Sequence, residues 1–170
     1  MGEREERFAR LFASAYGPLW AYARRRIAPD DVDDVVAETL TVAWRRLDEV
    51  PEPALPWLYG VAYKAIGNHT RSRRRRLRLV ERLAAETAPF GASDSSSGAL
   101  EALASLRLGD QEILRLAAWE DLGSSDIAAV LGCSTNAAAL RLSRARKRFR
   151  ELLTGSDPSR TQAGRKEIDV

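Results

Sequence analysis

Residues 122–135 have the sequence LGSSDIAAVLGCST, and this stretch decides the fold. Ser124 is a good N-cap residue and predicts the start of a short amphipathic helix. Gly132 ends that helix, because glycine adopts the left-handed conformation without steric cost. Ser134 can then cap a second helix that begins at the next residue. This spacing is typical of a helix-turn-helix motif.

The second helix of this motif has an apolar face and a basic face. Its apolar residues recur at steps of three and four, which predicts a stripe packed on the first helix: Ala138, Leu142, Ala145, Phe149 and Leu152. The opposite face is polar and basic: Thr135, Asn136, Ala139, Arg141, Ser143, Arg144, Arg146, Lys147, Arg148 and Arg150. Because so many cations repel one another unless an anion neutralises them, this face predicts phosphate binding. A solvated charged helix is the alternative interpretation.

The composition narrows the class of protein. The chain has 170 residues, 45% hydrophobic and 30% charged, which suits a globular protein of one compact domain or two small ones. Cys133 is the single cysteine and His69 the single histidine, so we expect no disulfide framework, no metal site and no cofactor. The charged first residues lack the apolar core of a signal peptide, and no stretch is suited to span a membrane. We therefore expect a cytoplasmic protein.

Strand signals are scarce because Ala, Leu, Arg and Glu dominate, so the sequence predicts an all-α fold. Apolar periodicity and proline positions predict helices over 3–28, 30–50, 56–69 and 100–108, with Asp110 capping the next helix. Phe8, Phe12 and Trp44 are predicted to face the core. Small and polar residues predict a flexible linker over 87–99 and a disordered tail over 155–170. The predicted organisation is two small helical domains, 1–86 and 100–154.

The third predicted helix has a second candidate binding stripe. Opposite its core side lie an aromatic residue, cations, an amide and two glycines, and the stripe continues into a run of arginines: Gly60, Tyr63, Lys64, Gly67, Asn68, His69, Arg71, Arg73 and Arg74. Gly67 permits close approach of a ligand or a local break in the helix. Asn68 offers a donor and an acceptor to a base edge, or alternatively caps the helix. With the basic face near the C-terminus, this stripe predicts two separate nucleic-acid contact zones.

Two sets of motifs carry a resemblance to a known family. The stretch LGSSDIAAVLGCS at 122–134, followed by LRLSRARKR at 140–148, resembles region 4 of bacterial sigma factors of the extracytoplasmic-function type. Earlier in the chain, DVDDVVAETL at 31–40, AWR at 43–45 and PWLYGVA at 56–62 resemble region 2 of the same proteins. The two resemblances occur in the family's order and together cover nearly the whole chain.

The resemblance implies a sigma factor, a detachable subunit that gives RNA polymerase its promoter specificity and is not an enzyme. The expected partners are the clamp and flap regions of core RNA polymerase, promoter DNA and an anti-sigma factor. The face that would bind the clamp carries Asp34, Ala37, Glu38, Thr41 and Arg45. The stripe from Tyr63 to Arg74 would bind the minus-ten element, and the face from Ser134 to Lys147 would bind the minus-thirty-five element. In the holoenzyme the protein would be associated with the nucleoid.

A second function remains open at this point. A stand-alone helix-turn-helix regulator would bind operator DNA as a dimer, with its N-terminal half serving as a dimerisation or ligand domain. Such a regulator binds palindromic duplex by itself, whereas a sigma factor binds promoter DNA tightly only together with polymerase.

Overall fold

The computed structural model describes residues 2–81 and 98–155. The helices are α1 (Glu3–Arg24), α2 (Val32–Arg45), α3 (Leu55–Glu81), α4 (Gly98–Ala104), α5 (Leu108–Ala118), α6 (Ser124–Leu131) and α7 (Thr135–Gly155). Short 3₁₀ turns at Pro29–Asp31 and Leu47–Glu49 flank α2. The described part of the chain contains no strand, so the all-α prediction is confirmed.

The helix-turn-helix prediction is confirmed at its turn. Gly132 has φ 65° and ψ 42°, in the left-handed region, and the amides of Gly132 and Cys133 both donate to the carbonyl of Ala128. The amide of Ala137 donates to Ser134 Oγ at 3.2 Å, so Ser134 caps α7 as predicted. The N-cap of α6 was wrongly predicted by one residue. Gly123 occupies that position without a side-chain bond, and Ser124 is the first residue of the helix.

Several other helix boundaries differ from the predicted ones. α1 ends at Arg24 and α2 at Arg45, four and five residues earlier than expected, because the chain tightens into turns before the prolines that follow. α3 continues without a break to Glu81, since arginine and leucine in the basic run are good helix formers. The predicted cap at Asp110 is wrong, because α5 begins at Leu108 and Asp110 lies in its first turn.

The hydrophobic core runs through both halves of the chain. In the N-terminal half, α1, α2 and the first part of α3 enclose buried residues such as Leu19, Val35 and Leu58. In the C-terminal half, α5, α6 and α7 pack around Ile113 and Ile127, among others. Helix α3 also packs directly on α6, which joins the two clusters into one. The two helices that carry the candidate nucleic-acid contact zones, α3 and α7, therefore share one continuous hydrophobic core.

The predicted linker at 87–99 and tail at 155–170 lie outside the described residues, apart from three positions. Gly98 and Ala99 belong to α4, and Gly155 ends α7. The domain boundaries themselves remain predictions. None of the described helices combines the length and the apolar character that a membrane span requires.

Candidate nucleic-acid interface

Helix α7 turns its predicted basic face to solvent because its other face is fixed in the core. Ala138 and Ala145 are fully buried and Leu142 is 5% exposed, which confirms the centre of the predicted apolar stripe. The residues of the candidate minus-thirty-five face are all exposed: Ser134, Thr135, Asn136, Ala139, Arg141, Ser143, Arg144, Arg146 and Lys147. Leu140 lies among them with half of its surface exposed. Packing therefore presents one polar, cationic surface to a partner.

The cations of α7 fall into two groups by their contacts. Arg148 donates from Nε and Nη2 to the two carboxylate oxygens of Asp110, both at 2.7 Å, and this hydrogen bond raises the pKa of Arg148. It anchors α7 to the first turn of α5, so Arg148 is a structural residue and not part of a free face. Lys147 lies 3.9 Å from Glu151. Arg141 and Arg144 make no hydrogen bond or ion pair with the described residues, which leaves their guanidinium groups available to DNA.

The stripe on α3 is exposed along one side of a continuous helix. Tyr63 is 39% exposed, and Lys64, Asn68 and Arg71 are also exposed. Gly67 and His69 are half-buried, and Arg73 is exposed, while the side chain of Arg74 lies outside the described residues. The prediction that Gly60 belongs to this stripe is wrong, because Gly60 is buried against α6. Tyr63, Lys64, Gly67, Asn68 and Arg71 therefore share one side of the helix, whereas His69 and Arg73 lie on the flank that faces α2.

Asn68 lies in the interior of α3 and neither caps nor ends it. Its Oδ1 accepts a hydrogen bond of 2.6 Å from Arg71 Nη2, one turn further along. The guanidinium of Arg71 also lies beside Gly67, 3.7 Å from where a Cβ would stand. Gly67 does not break the helix, and a Cβ at this position would make only an ordinary van der Waals contact with Arg71. The amide nitrogen of Asn68 stays available to a ligand.

The face of α2 predicted to bind polymerase is exposed at every candidate position: Asp34, Ala37, Glu38, Thr41 and Arg45. It meets the α3 stripe at an open groove. There Glu38 Oε2 lies 3.3 Å from His69 Nε2, and Asp31 lies 3.6 Å from Arg73. These contacts are partly exposed and contribute little stability. They place part of the minus-ten stripe next to the acidic face.

An aromatic ridge beside that face was missed because two of its members, Phe12 and Trp44, were predicted to face the core. Phe12 is 43% exposed, Tyr16 41% and Trp44 36%, so the prediction that Phe12 and Trp44 are core residues is wrong. The ring of Phe8, which is half-buried as expected, packs edge-on against Trp44 at 5.1 Å, and Phe12 stacks on Tyr16 at 5.3 Å. The ridge and α2 enclose an open apolar groove that Ala37 and Thr41 also line. The spacing of four residues between Phe8, Phe12 and Tyr16 was the available signal.

A second apolar groove lies in the C-terminal half, between α4, α5 and α7. Leu100 is 49% exposed and Trp119 42%, and the groove is completed by Leu103, Leu114 and Phe149. Apolar surface of this kind, left exposed beside polar residues, is typical of protein–protein contact sites. No pattern in the sequence indicated a role for these residues.

A buried charge cluster joins the two halves. Arg26 Nε donates to both oxygens of Glu112 at 3.0 and 3.1 Å, and its Nη1 donates to Glu120 at 2.9 Å. Arg25 donates to the other oxygen of Glu120 at 2.6 Å. The hydroxyl of Tyr22 donates to Glu112 at 3.2 Å, and burial together with that carboxylate raises the pKa of the phenol. These pairs are 86 to 95 residues apart in sequence, so no local pattern could reveal them.

No group of three or more His, Cys, Asp or Glu side chains within residues 2–81 and 98–155 is arranged to hold a metal ion. The surfaces described above are open faces and grooves. Their chemistry is that of macromolecular recognition through cations, aromatic rings and amides.

Comparison with known proteins identifies the family. The family model of sigma-70 region 2 matches residues 11–76, and that of sigma-70 region 4 matches 98–149. The chain is 30% identical over 165 residues to the RNA polymerase sigma factor CnrH of Cupriavidus metallidurans, covering 86% of each chain. The chain belongs to the sigma-70 family. It is a sigma factor of the extracytoplasmic-function type, as the resemblance predicted.

Other relatives agree with this assignment. The sigma factor is 30% identical over 156 residues to the RNA polymerase sigma factor NccH of Alcaligenes xylosoxydans xylosoxydans, covering 83% of this chain and 84% of that one. It is 34% identical over 139 residues to the probable RNA polymerase sigma factor RfaY of Xanthomonas campestris pv. campestris. That match covers 74% of this chain, which spans only 35% of the length of that relative.

Two solved structures share the fold. The structure of CnrH in complex with the cytosolic domain of CnrY matches with a TM-score of 0.61 and 29% identity, covering 88% of this chain and 89% of that one. The sigma factor RpoE, in complex with the anti-sigma factor NepR from Bartonella quintana, matches with a TM-score of 0.65 and 24% identity. That match covers 88% of this chain and 98% of the other.

Proposed function

We propose that this sigma factor binds core RNA polymerase and directs it to a restricted set of promoters. The observation that carries the proposal is the free face of α7, where Arg141 and Arg144 have no partner among the described residues. The buried stripe of Ala138, Leu142 and Ala145 fixes the orientation of that face. A helix held in this way can enter the major groove and offer guanidinium groups to base edges. In our proposal this face reads the minus-thirty-five element.

The α3 stripe binds the minus-ten element in this proposal. Tyr63 offers a ring on which an unpaired base can stack, and Asn68 offers hydrogen bonds to a base edge. Arg71 and Arg73 lie where they can neutralise the flanking phosphates. Extruding a base costs a few kcal/mol, which stacking at roughly 1 to 3 kcal/mol per base can offset together with the arginine contacts.

The polymerase clamp docks on the α2 face around Glu38 and Thr41 in this proposal, and the aromatic ridge of Phe12, Tyr16 and Trp44 extends the docking surface. A ridge of exposed aromatic rings beside acidic side chains combines an apolar centre with a polar rim, as stable interfaces do. The flap contact falls on the apolar groove that includes Leu100 and Trp119.

An anti-sigma factor is a further proposed partner. CnrH has been solved with the cytosolic domain of CnrY, and its structure resembles this chain over both halves. The proposed location is the cytoplasm, with nucleoid association when the chain is part of the holoenzyme.

Electrophoretic mobility shift with and without core polymerase tests the proposal. The probe is a promoter duplex selected by the holoenzyme from random sequence, and the competitor is unrelated duplex in excess. We expect specific retention only when core polymerase is present. Tight binding of palindromic duplex by a dimer of the chain alone would contradict the proposal and favour a stand-alone regulator.

A further inference from the structure

Asn68 and Arg71 form a hydrogen-bonded pair on the exposed side of α3. Arg71 Nη2 donates to Asn68 Oδ1 at 2.6 Å, from one turn further along the same helix. Because a guanidinium carries donors and no acceptor, the amide atom that faces Arg71 must be the oxygen. The pair therefore fixes the orientation of the amide. Its Nδ2 group, with two N–H donors, is turned away from Arg71 and makes no hydrogen bond with the described residues.

This orientation changes what the amide of Asn68 offers to a base. An unpaired asparagine typically contacts adenine, because the amide oxygen accepts from the N6 amino group while the amide nitrogen donates to N7. In this chain the oxygen is already bound to a cation, and such charge-assisted hydrogen bonds are roughly twice as strong as neutral ones. The oxygen is therefore a poor acceptor for the amino group of a base. Asn68 presents two donors instead.

The neighbours of Asn68 on this side of α3 add further donors. Lys64 lies one turn before Asn68 and is exposed, and its ammonium group has three donors and no acceptor. Arg71 uses one N–H for Asn68 and keeps the others for a flanking phosphate. A base that contacts this side of the helix therefore meets hydrogen-bond donors from three successive positions of the stripe.

The acidic side chains near Asn68 lie on the opposite flank. Asn68 also borders the groove between α2 and α3, whose α2 side is lined by four carboxylates. Two of these, Glu38 and Asp31, lie beside His69 and Arg73. In the proposed complex the polymerase clamp covers this α2 face, so a base approaches Asn68 from the donor-rich side.

We propose that the minus-ten stripe selects a base with a keto oxygen, guanine or thymine, at the position that Asn68 contacts, and that Arg71 is the positioning residue that sets this preference. Guanine O6 and thymine O4 are acceptors, whereas adenine and cytosine carry amino donors at the equivalent positions. Two donors that face each other both stay without a partner, which is costly once water is excluded. This inference rests on the proposed function, because it concerns the same stripe.

Base analogues that differ at one exocyclic group test the preference. The wild-type chain is assembled with core polymerase, and its affinity is measured for promoter DNA pre-opened across the minus-ten element. At each unpaired position in turn, the DNA carries hypoxanthine or adenine, and then uracil or cytosine. Each pair exchanges a keto oxygen for an amino group on an otherwise similar ring. At one position we expect the keto member of both pairs to bind at least about fivefold more tightly.

Two variants test the role of the Asn68–Arg71 pair. Arg71→Ala frees the amide to rotate, so the ratio of keto to amino affinity should fall to within about twofold, whatever affinity is lost with the phosphate contact. Asn68→Asp offers an acceptor in place of the donors, so the ratio should reverse in favour of adenine and cytosine. Arg75→Ala removes an exposed arginine of the next turn and is the matched control, which should keep the wild-type ratio. If Arg71→Ala binds too weakly for a ratio to be measured, Asn68→Asp decides.

The outcomes separate this inference from the proposed function. If the wild-type holoenzyme does not bind the pre-opened promoter, both fail. If it binds with equal affinity for the two members of each pair at every position, or favours the amino members, the proposed function stands and the inference is overturned. A keto preference that persists in Arg71→Ala, or that Asn68→Asp leaves unchanged, would overturn it as well.

Discussion

Arg141 provides a sharp test of base recognition because its side chain has no structural task in the described part of the chain. It is exposed on α7 and makes no contact there that folding would lose. We therefore expect Arg141→Ala to change the free energy of unfolding by no more than about 0.5 kcal/mol. If the guanidinium makes a bidentate contact with a guanine, its loss costs about 1 to 3 kcal/mol of binding to that sequence, a factor of about 5 to 140.

The assay measures holoenzyme affinity for a panel of promoters that differ at single positions of the minus-thirty-five element. Wild-type holoenzyme should discriminate at one position where the Arg141→Ala holoenzyme does not, while the other positions keep their preferences. Arg148→Ala is the matched control on the same helix. Because Arg148 anchors α7 to Asp110, that change should lower the melting temperature and weaken binding to all promoters alike. A uniform loss with Arg141→Ala would refute base recognition and make the residue a phosphate contact.

Three further predictions concern the other surfaces. Glu38→Arg should prevent holoenzyme assembly in size-exclusion chromatography, while its circular dichroism stays unchanged. Normal assembly of this variant would rule out α2 as the site that binds the polymerase clamp. Leu140→Ser should alter promoter preference and change the free energy of unfolding by no more than about 0.5 kcal/mol, whereas Leu142→Ala should lower it by about 2 to 5 kcal/mol. Destabilisation by Leu140→Ser would show that Leu140 is a packing residue. Asn68→Ala should weaken binding to DNA pre-opened across the minus-ten element by an amount that depends on the base present there, and an equal loss with every base would argue against a base pocket.

Local sequence signals were sufficient to predict the helix-turn-helix motif and the exposed faces of the two candidate binding helices. Gly132 and Ser134 end one helix and cap the next through bonds within a few residues, so their roles follow from residue type alone. The stripe of Ala138, Leu142 and Ala145 is visible in the sequence because helical periodicity repeats over three turns. Because that stripe is buried, the opposite side of α7 must be the exposed one.

Features set by tertiary contacts could not be predicted in this way. Periodicity marked Phe12 and Trp44 as apolar, but it does not say how far the neighbouring helices cover them. The cluster of Arg26 with Glu112 and Glu120 joins residues 86 and 94 positions apart, and each looks like an ordinary surface charge in its own helix. These residues meet only when the two halves of the chain pack together.

Run-off transcription with purified core polymerase tests the central claim most directly. The template carries a promoter selected by the holoenzyme, and the control reaction lacks the chain or contains the Glu38→Arg variant. We predict a discrete run-off transcript only with core polymerase and the wild-type chain together. Absence of a promoter-specific transcript under these conditions, with a known sigma factor active on its own promoter in parallel, would contradict the assignment.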